Sequence, residues 1–192
     1  MPRPPTFSAE LVLDRAMLLF WTQGYAGTSM QDLVDGTELL RGSLYHTFGD
    51  KRSLYIQTLR RYGNMALQQT TSVWNPAESV LSNVRAVLMM IVEMPEAEKR
   101  RGNMVCNCIV ELVPHDPEIA RVVEGILHEF KQAFRDVLEQ ARQAGKLDAH
   151  TNTTALARYL VSSLQGLCVT AKGGASRAEL LDIVELTLAA VR

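Results

Sequence analysis

Between residues 24 and 51 the chain reads Gly-Tyr-Ala-Gly-Thr-Ser-Met-Gln-Asp-Leu-Val-Asp-Gly-Thr-Glu-Leu-Leu-Arg-Gly-Ser-Leu-Tyr-His-Thr-Phe-Gly-Asp-Lys. Its caps, apolar residues and glycines predict a helix, a tight turn and a very short second helix. Thr28 and Ser29 are good N-cap residues, and Gln31 and Asp32 each follow one of them by three places, as in a capping box. Met30, Leu33 and Val34 share one face of the first helix. Gly42 near the start and Gly49-Asp50 at the end hold the second helix to barely two turns, too few to be stable without support. Leu44 and Phe48, four apart, pack it onto its neighbours, which turns Arg41, Ser43, Tyr45 and His46 mostly outward. Such a donor-rich, displayed helix suits phosphates and base edges in a major groove. The competing reading is a helix-turn-helix used for packing alone, with Tyr45 half-buried and His46 simply solvated.

The flanking segments extend the unit. Ser8 can cap an amphipathic helix through Leu11, Val12, Ala16, Leu19 and Phe20, which Gly24 is placed to end. Asp50 can cap a further helix that opens with Lys51 and Arg52 and runs through Leu54, Tyr55, Leu59 and Tyr62. Its start offers backbone N–H groups and two cations to a phosphate.

Over about Leu11 to Leu59 the chain resembles TetR-family transcriptional regulators. The resemblance is carried by Ala16, Leu19-Phe20, Gly24-Tyr25, Thr28-Ser29-Met30, Gly42-Ser43-Leu44-Tyr45-His46, Phe48 and Lys51. It implies that the helix carrying Gly-Ser-Leu-Tyr enters the major groove, and that the start of the preceding helix and the lysine opening the next touch phosphates. On this chain the groove role falls to Arg41, Gly42, Ser43, Leu44, Tyr45 and His46, and the phosphate roles to Thr28, Ser29 and Lys51. Two positions depart from the family pattern. Glu38 stands where the family usually has a turn glycine, and Leu40 where it usually has serine before the reading helix. Glu38 must take the turn without glycine's freedom and would repel phosphate, and Leu40 cannot cap with its side chain. The fold is expected to survive, with altered sequence preference or reduced affinity.

With 192 residues and 47% hydrophobic content, the chain exceeds the roughly sixty residues of such a module, and about 130 residues must form something else. The expected division is 1–50 for the helix-turn-helix domain and 51–192 for a helical effector and dimerisation domain, with 51–70 as connector helix. The net charge is −1, and residues 1–62 carry seven Lys and Arg against six Asp and Glu. Binding to a polyanion must therefore come from a local patch, with Arg3, Lys51 and Arg52 assisting Arg41. No apolar leader or membrane-length stretch is present, so a cytoplasmic protein without membrane contact is expected. Three cysteines, Cys106, Cys108 and Cys168, make no paired framework, which fits a reducing compartment.

Residues 63–192 read as helices throughout. Asn75-Pro76 is expected to start one running through Val80, Leu81, Val84, Leu88, Ile91 and Val92, which Pro95 stops. Glu96 to Arg101 reads as a charged connection, Met104 to Val113 as a short apolar helix, and Asp116-Pro117 as the opening of a long helix to Gly145. The last two helices are apolar over more than one stripe. One carries Leu156, Tyr159, Leu160, Ser163 and Leu167, and the other, capped by Ser176 with Glu179 in capping-box position, carries Leu180, Ile183, Val184, Thr187 and Leu188. Small residues Ser162, Ser163 and Gly166 permit close approach. Excess apolar surface there suggests a partner, and the resemblance implies a homodimer whose last two helices form a four-helix bundle over a palindromic double-stranded operator.

The resemblance also implies a cavity for a small-molecule effector that moves the reading helices. Tyr62, Met65, Leu88, Met89, Cys106, Val110, Phe130 and Phe134 are its expected lining, although the same residues would serve equally as core. Their character suggests a largely apolar or aromatic effector. Cys106 offers a second trigger: early in its helix and downstream of Arg100 and Arg101, its thiol could be activated toward an electrophile or oxidant. An enzyme is not expected. No Gly-rich phosphate loop or metal-spaced His pair occurs, so neither metal nor cofactor is expected. The expectation is thus an all-α protein of two domains and about nine helices, acting as an effector-responsive DNA-binding regulator, more simply a repressor. The rival is a helical ligand-binding or protein-interaction dimer without specific DNA binding.

Overall fold

The computed structural model describes residues 8–191. Ser8 caps α1 (Ala9–Gly27), its hydroxyl accepting from the Leu11 N–H. The expected stop at Gly24 is present as a break: φ is 77° there, a left-handed value natural to glycine, and one more turn follows before the chain straightens at Thr28. Ser29 caps α2 (Met30–Thr37), accepting from the Asp32 N–H while the Asp32 carboxylate accepts from the Ser29 N–H. Of the two candidate caps, Ser29 is the one used. The turn then passes through Glu38 in left-handed conformation, φ 60°, and α3 (Arg41–Phe48) begins at Leu40 without a side-chain cap.

Asp50 caps α4 (Lys51–Ser72), the connector helix. Leu33, Leu44 and Phe48 are buried, as are Val12, Ala16 and Phe20 of α1 and Leu54, Tyr55 and Leu59 of α4, with α1 packed on both α2 and α4.

Beyond α4 the chain forms α5 (Val80–Val92), α6 (Glu96–Arg101), α7 (Met104–Glu111), α8 (Pro117–Gln143), α9 (Thr153–Lys172) and α10 (Arg177–Ala189). Two expectations needed correction. Asn75-Pro76 does not open α5, because Ser79 caps it and the buried Asn83 amide pins residue 75 in a turn, accepting from the Asn75 N–H at 2.7 Å and donating to its carbonyl at 2.9 Å. The charged connection is itself a short helix, α6, which makes ten helices among the described residues. Its acids lie in the first turn and its cations in the last, the order that suits the helix dipole.

The long helix follows its sequence signature. The Asp116 carboxylate accepts from the Glu118 and Ile119 N–H groups ahead of Pro117. Ile119, Val123, Ile126, Phe130, Phe134 and Leu138 recur at three- and four-residue spacing and are all buried, each worth roughly 1.5–3 kcal/mol of burial. α8 packs against α4 and α9, and α10 packs against α5 and α9. α4 packs on α1 and α7 as well as on α8, so one helix is shared by both halves of a continuous core. Among the described residues no helix is long and apolar enough to cross a membrane.

Candidate nucleic-acid interface and effector cavity

α3 projects Arg41, Gly42, Tyr45 and His46 to solvent, with Ser43 half-buried beside them. Leu44 does not join them. It is 1% exposed and belongs to the core, because it lies on the face that anchors so short a helix. Thr28 is also withdrawn from the surface: it is fully buried, and its hydroxyl donates to the Gly24 carbonyl at 2.7 Å, closing the break in α1. Ser29, by contrast, is exposed.

The cations beyond α3 divide. Lys51 stays at the surface side, its ammonium 4.3 Å from the centre of the Tyr25 ring. Arg52 is gripped by two carboxylates, donating from Nε and Nη2 to Asp116 at 2.7 and 2.8 Å and from Nη1 to Glu118 at 2.7 Å. The guanidinium pushes the Asp116 carboxyl well below its usual range. Arg52 therefore ties α4 to α8 and does not serve as a second phosphate cation. Arg3 lies outside the described residues. The unusual Glu38 carboxylate faces Arg15 of α1 at 2.7 Å, which offsets its charge locally.

The turn between α1 and α2 rests on a residue that sequence reading missed. Glu111, the last residue of α7, accepts from the backbone N–H groups of Tyr25 at 3.2 Å and Ala26 at 2.8 Å. Gly24 is doubly required, since a Cβ there would also come within 3.2 Å of that carboxylate. At the opposite end of α7, the Asn103 carbonyl oxygen caps the helix through the Cys106 N–H and the residue lines the cavity described next. One eight-residue helix, about 12 Å long, thus runs from cavity wall to reading domain.

Two pockets adjoin here and share Tyr62, Asn103 and Cys168. The inner chamber, only about 30 Å³ between α4, α7, α8 and α9, is bounded by Ile126, Phe130, Val161 and Leu164 with Tyr62, Asn103, Gln165 and Cys168 as polar members. No charged side chain lines it. The outer chamber, about 280 Å³, shares Tyr62, Asn103 and Cys168 and adds Trp21, Met65 and Arg101.

Of the expected lining, Tyr62, Met65 and Phe130 are in place. Val110 is not: it is 79% exposed on the outer side of α7. Leu88 is buried in the core and Phe134 packs its ring against Trp74, while Met89 is half-buried against the core, so none of these three borders either chamber. The thiol in the wall is that of Cys168, not Cys106.

The activated-thiol expectation for Cys106 fails on burial. Cys106 is only 8% exposed and Cys108 is fully buried. Burial pushes the thiols of Cys106 and Cys108 up to about 11 and that of Cys168 up to about 12, outweighing the helix start and nearby cations. Iodoacetamide at neutral pH should accordingly alkylate the native thiols about a hundredfold more slowly than the urea-unfolded ones. Mass spectrometry of the time course checks this, and rapid native labelling of Cys106 would show an open site.

α9 and α10 bury most of the residues assigned to a partner. Leu160, Leu167, Leu180, Val184, Thr187 and Leu188 are inside the subunit's own core, because these helices pack on each other and on α5. Leu156, Ser163 and Ile183 are half-buried. Tyr159 at 42% exposure and Val169 at 57% on α9, and Leu186 at 74% on α10, stay exposed, and Ser162 and Gly166 lie between the first two on the same stripe of α9.

Residues 12–58, α1 through the first third of α4, match the family described as bacterial regulatory proteins, tetR family. Residues 80–181 match the family described as tetracyclin repressor-like, C-terminal domain. The chain belongs to the TetR family of transcriptional regulators. It is 34% identical to the uncharacterized HTH-type transcriptional regulator YezE of Bacillus subtilis over 98% of both chains. It is 29% identical to the HTH-type transcriptional repressor ComR of Escherichia coli, over 97% of this chain and 90% of that one. Its fold is similar to that of a cysteine mutant of the TetR-family regulator CifR complexed with 26 bp double-strand operator DNA. That match has a TM-score of 0.84 and 30% identity, covering 99% of this chain and all of that one. This TetR-family protein is accordingly a DNA-binding transcriptional regulator and not an enzyme.

Proposed function

We propose that this regulator is a repressor that binds a palindromic operator as a homodimer and is released by a small-molecule effector. Residues 1–50 read DNA, and residues 51–192 take the effector and pair the subunits. The observation that carries the reading is the outward presentation of Arg41, Tyr45 and His46 on a two-turn helix whose opposite face is buried at Leu44 and Phe48. Ser43 and the glycine at 42 allow close approach to base edges, while Ser29 and Lys51 meet the flanking phosphates. The first-turn N–H groups of α2 and α4 that the caps leave free strengthen those phosphate contacts. Repressor names among the relatives, ComR included, support the direction of control.

The homodimer reading is supported by the exposed apolar side chains of Tyr159, which was expected there, and of Val169 and Leu186, which take the place of the inward residues. The effector reading is supported by the two chambers and by the path along α7 from Asn103 to Glu111.

A mobility-shift titration on the chain's own upstream region tests the proposal. Lys51→Ala should weaken binding to all duplexes alike and flatten the salt dependence by about one unit per subunit, whereas Arg41→Ala should change which duplex is preferred. Equal, weak binding of the native protein to every duplex would overturn it.

A further inference from the structure

The outer chamber holds a cation that the fold positions but does not pair. Arg101 ends α6, and its guanidinium lies 4.8 Å over the Trp21 ring. The Trp21 indole N–H in turn donates to the Gly102 carbonyl at 2.7 Å, so ring and loop hold each other. Arg101 is half-buried in the chamber wall, and no carboxylate among the described residues pairs with it. The other charges of that wall are differently placed. Lys99 is buried and donates to Glu96 at 3.0 Å, and Glu98 is exposed. The charge of Arg101 is felt at Tyr62, where it opposes the upward push of burial on the phenol.

A guanidinium held over an indole by cation–π attraction still has N–H donors to offer, in a fork that matches a carboxylate. Beside Arg101 the outer chamber, about 280 Å³, is lined by the apolar side chains of Met65, Ile91 and Met94. An anionic head and an apolar body on one small molecule would satisfy that chamber.

We propose that the effector of this protein is a small amphiphilic monocarboxylate, with an aromatic or medium-length aliphatic body. Its carboxylate binds Arg101, its body lies in the outer chamber along Met65, Ile91 and Met94, and Arg101 is drawn off Trp21 as it binds. This rests on the effector-release reading above and adds the chemical class and the first step of the signal. Trp21 sits on α1, which packs directly on α2. Loss of the stack therefore loosens the contact between the cavity wall and the reading domain.

Trp21 also supplies the readout, since Trp74 is the only other tryptophan of the chain and the W74F variant isolates its emission. Benzoate, phenylacetate and octanoate, each beside its methyl ester, are titrated into that protein without DNA. The acids should shift Trp21 emission at millimolar concentration or below and the esters should not. Arg101→Gln should weaken the acids by about tenfold to a hundredfold, with Arg101→Lys in between and circular dichroism unchanged in both. Esters acting as well as acids, unchanged affinity in Arg101→Gln, or no emission response to any acid would overturn the proposal. Duplex binding measured before any probe is added tests the regulator reading separately, so the two failures are distinguishable.

Discussion

Glutamate at both Val169 and Leu186 is expected to leave each subunit folded, split the protein into monomers and lower its affinity for a palindromic duplex by about a hundredfold or more. At 57% and 74% exposure, neither side chain contributes much to its own core. The substitution therefore acts on whatever covers that face, and two carboxylates per subunit cannot be desolvated against a twofold copy of themselves. A monomer keeps one reading helix and loses the second contact made at high effective concentration, the source of the affinity drop. Light scattering after size exclusion reports the mass, and a mobility shift reports the duplex. A dimer that persists in the double variant would place the subunit contact elsewhere. The same change at Leu160 or Leu180, which are buried to 1% and 0%, should instead prevent folding.

Leu44→Ala is expected to cost about 2–5 kcal/mol of stability and to abolish sequence-selective binding. α3 has eight residues, no side-chain cap at Leu40 and a glycine in its first turn, so little besides Leu44 and Phe48 holds it in place. A cavity beneath it frees the helix before it unfolds the domain. Thermal melting measures the stability, and competition between operator and random duplex measures the selectivity. Weak binding through Ser29 and Lys51 should remain, because those residues sit on α2 and α4. Intact selectivity in Leu44→Ala would mean that α3 does not read the DNA.

How much of this was legible beforehand follows from where the governing interactions lie. Ser8, Ser29, Asp50, Asp116 and Ser176 each cap a helix from within three residues of the N–H they accept. Such contacts are written in adjacent letters, so the helix starts at these positions could be read directly. Asn75 shows the limit, since Asn83 and Ser79 together outbid a good local signal. Glu111 gave no sign of its role because its partners, Tyr25 and Ala26, are more than eighty residues away. Arg52 looked like a phosphate cation until folding brought Asp116 and Glu118 to it across more than sixty residues.

α9 and α10 were misread for a different reason. Both faces of each helix are apolar, and periodicity alone does not say which stripe meets the subunit's own core. Packing against α5 made the choice, and left Tyr159, Val169 and Leu186 outside. The cysteines follow the same logic: local charge near Cys106 favoured a thiolate, but burial by α9 and α4 decided the thiol.

The letters alone therefore determined the all-helical architecture, the helix-turn-helix and the family, because caps, glycine positions and three-to-four spacing act within a turn or two of the chain. Tertiary structure decided which cation is held by carboxylates, which thiol lines a pocket and which apolar side chains stay exposed. Those outcomes depend on burial and on charges brought together from distant segments, and neither exists until the helices have packed.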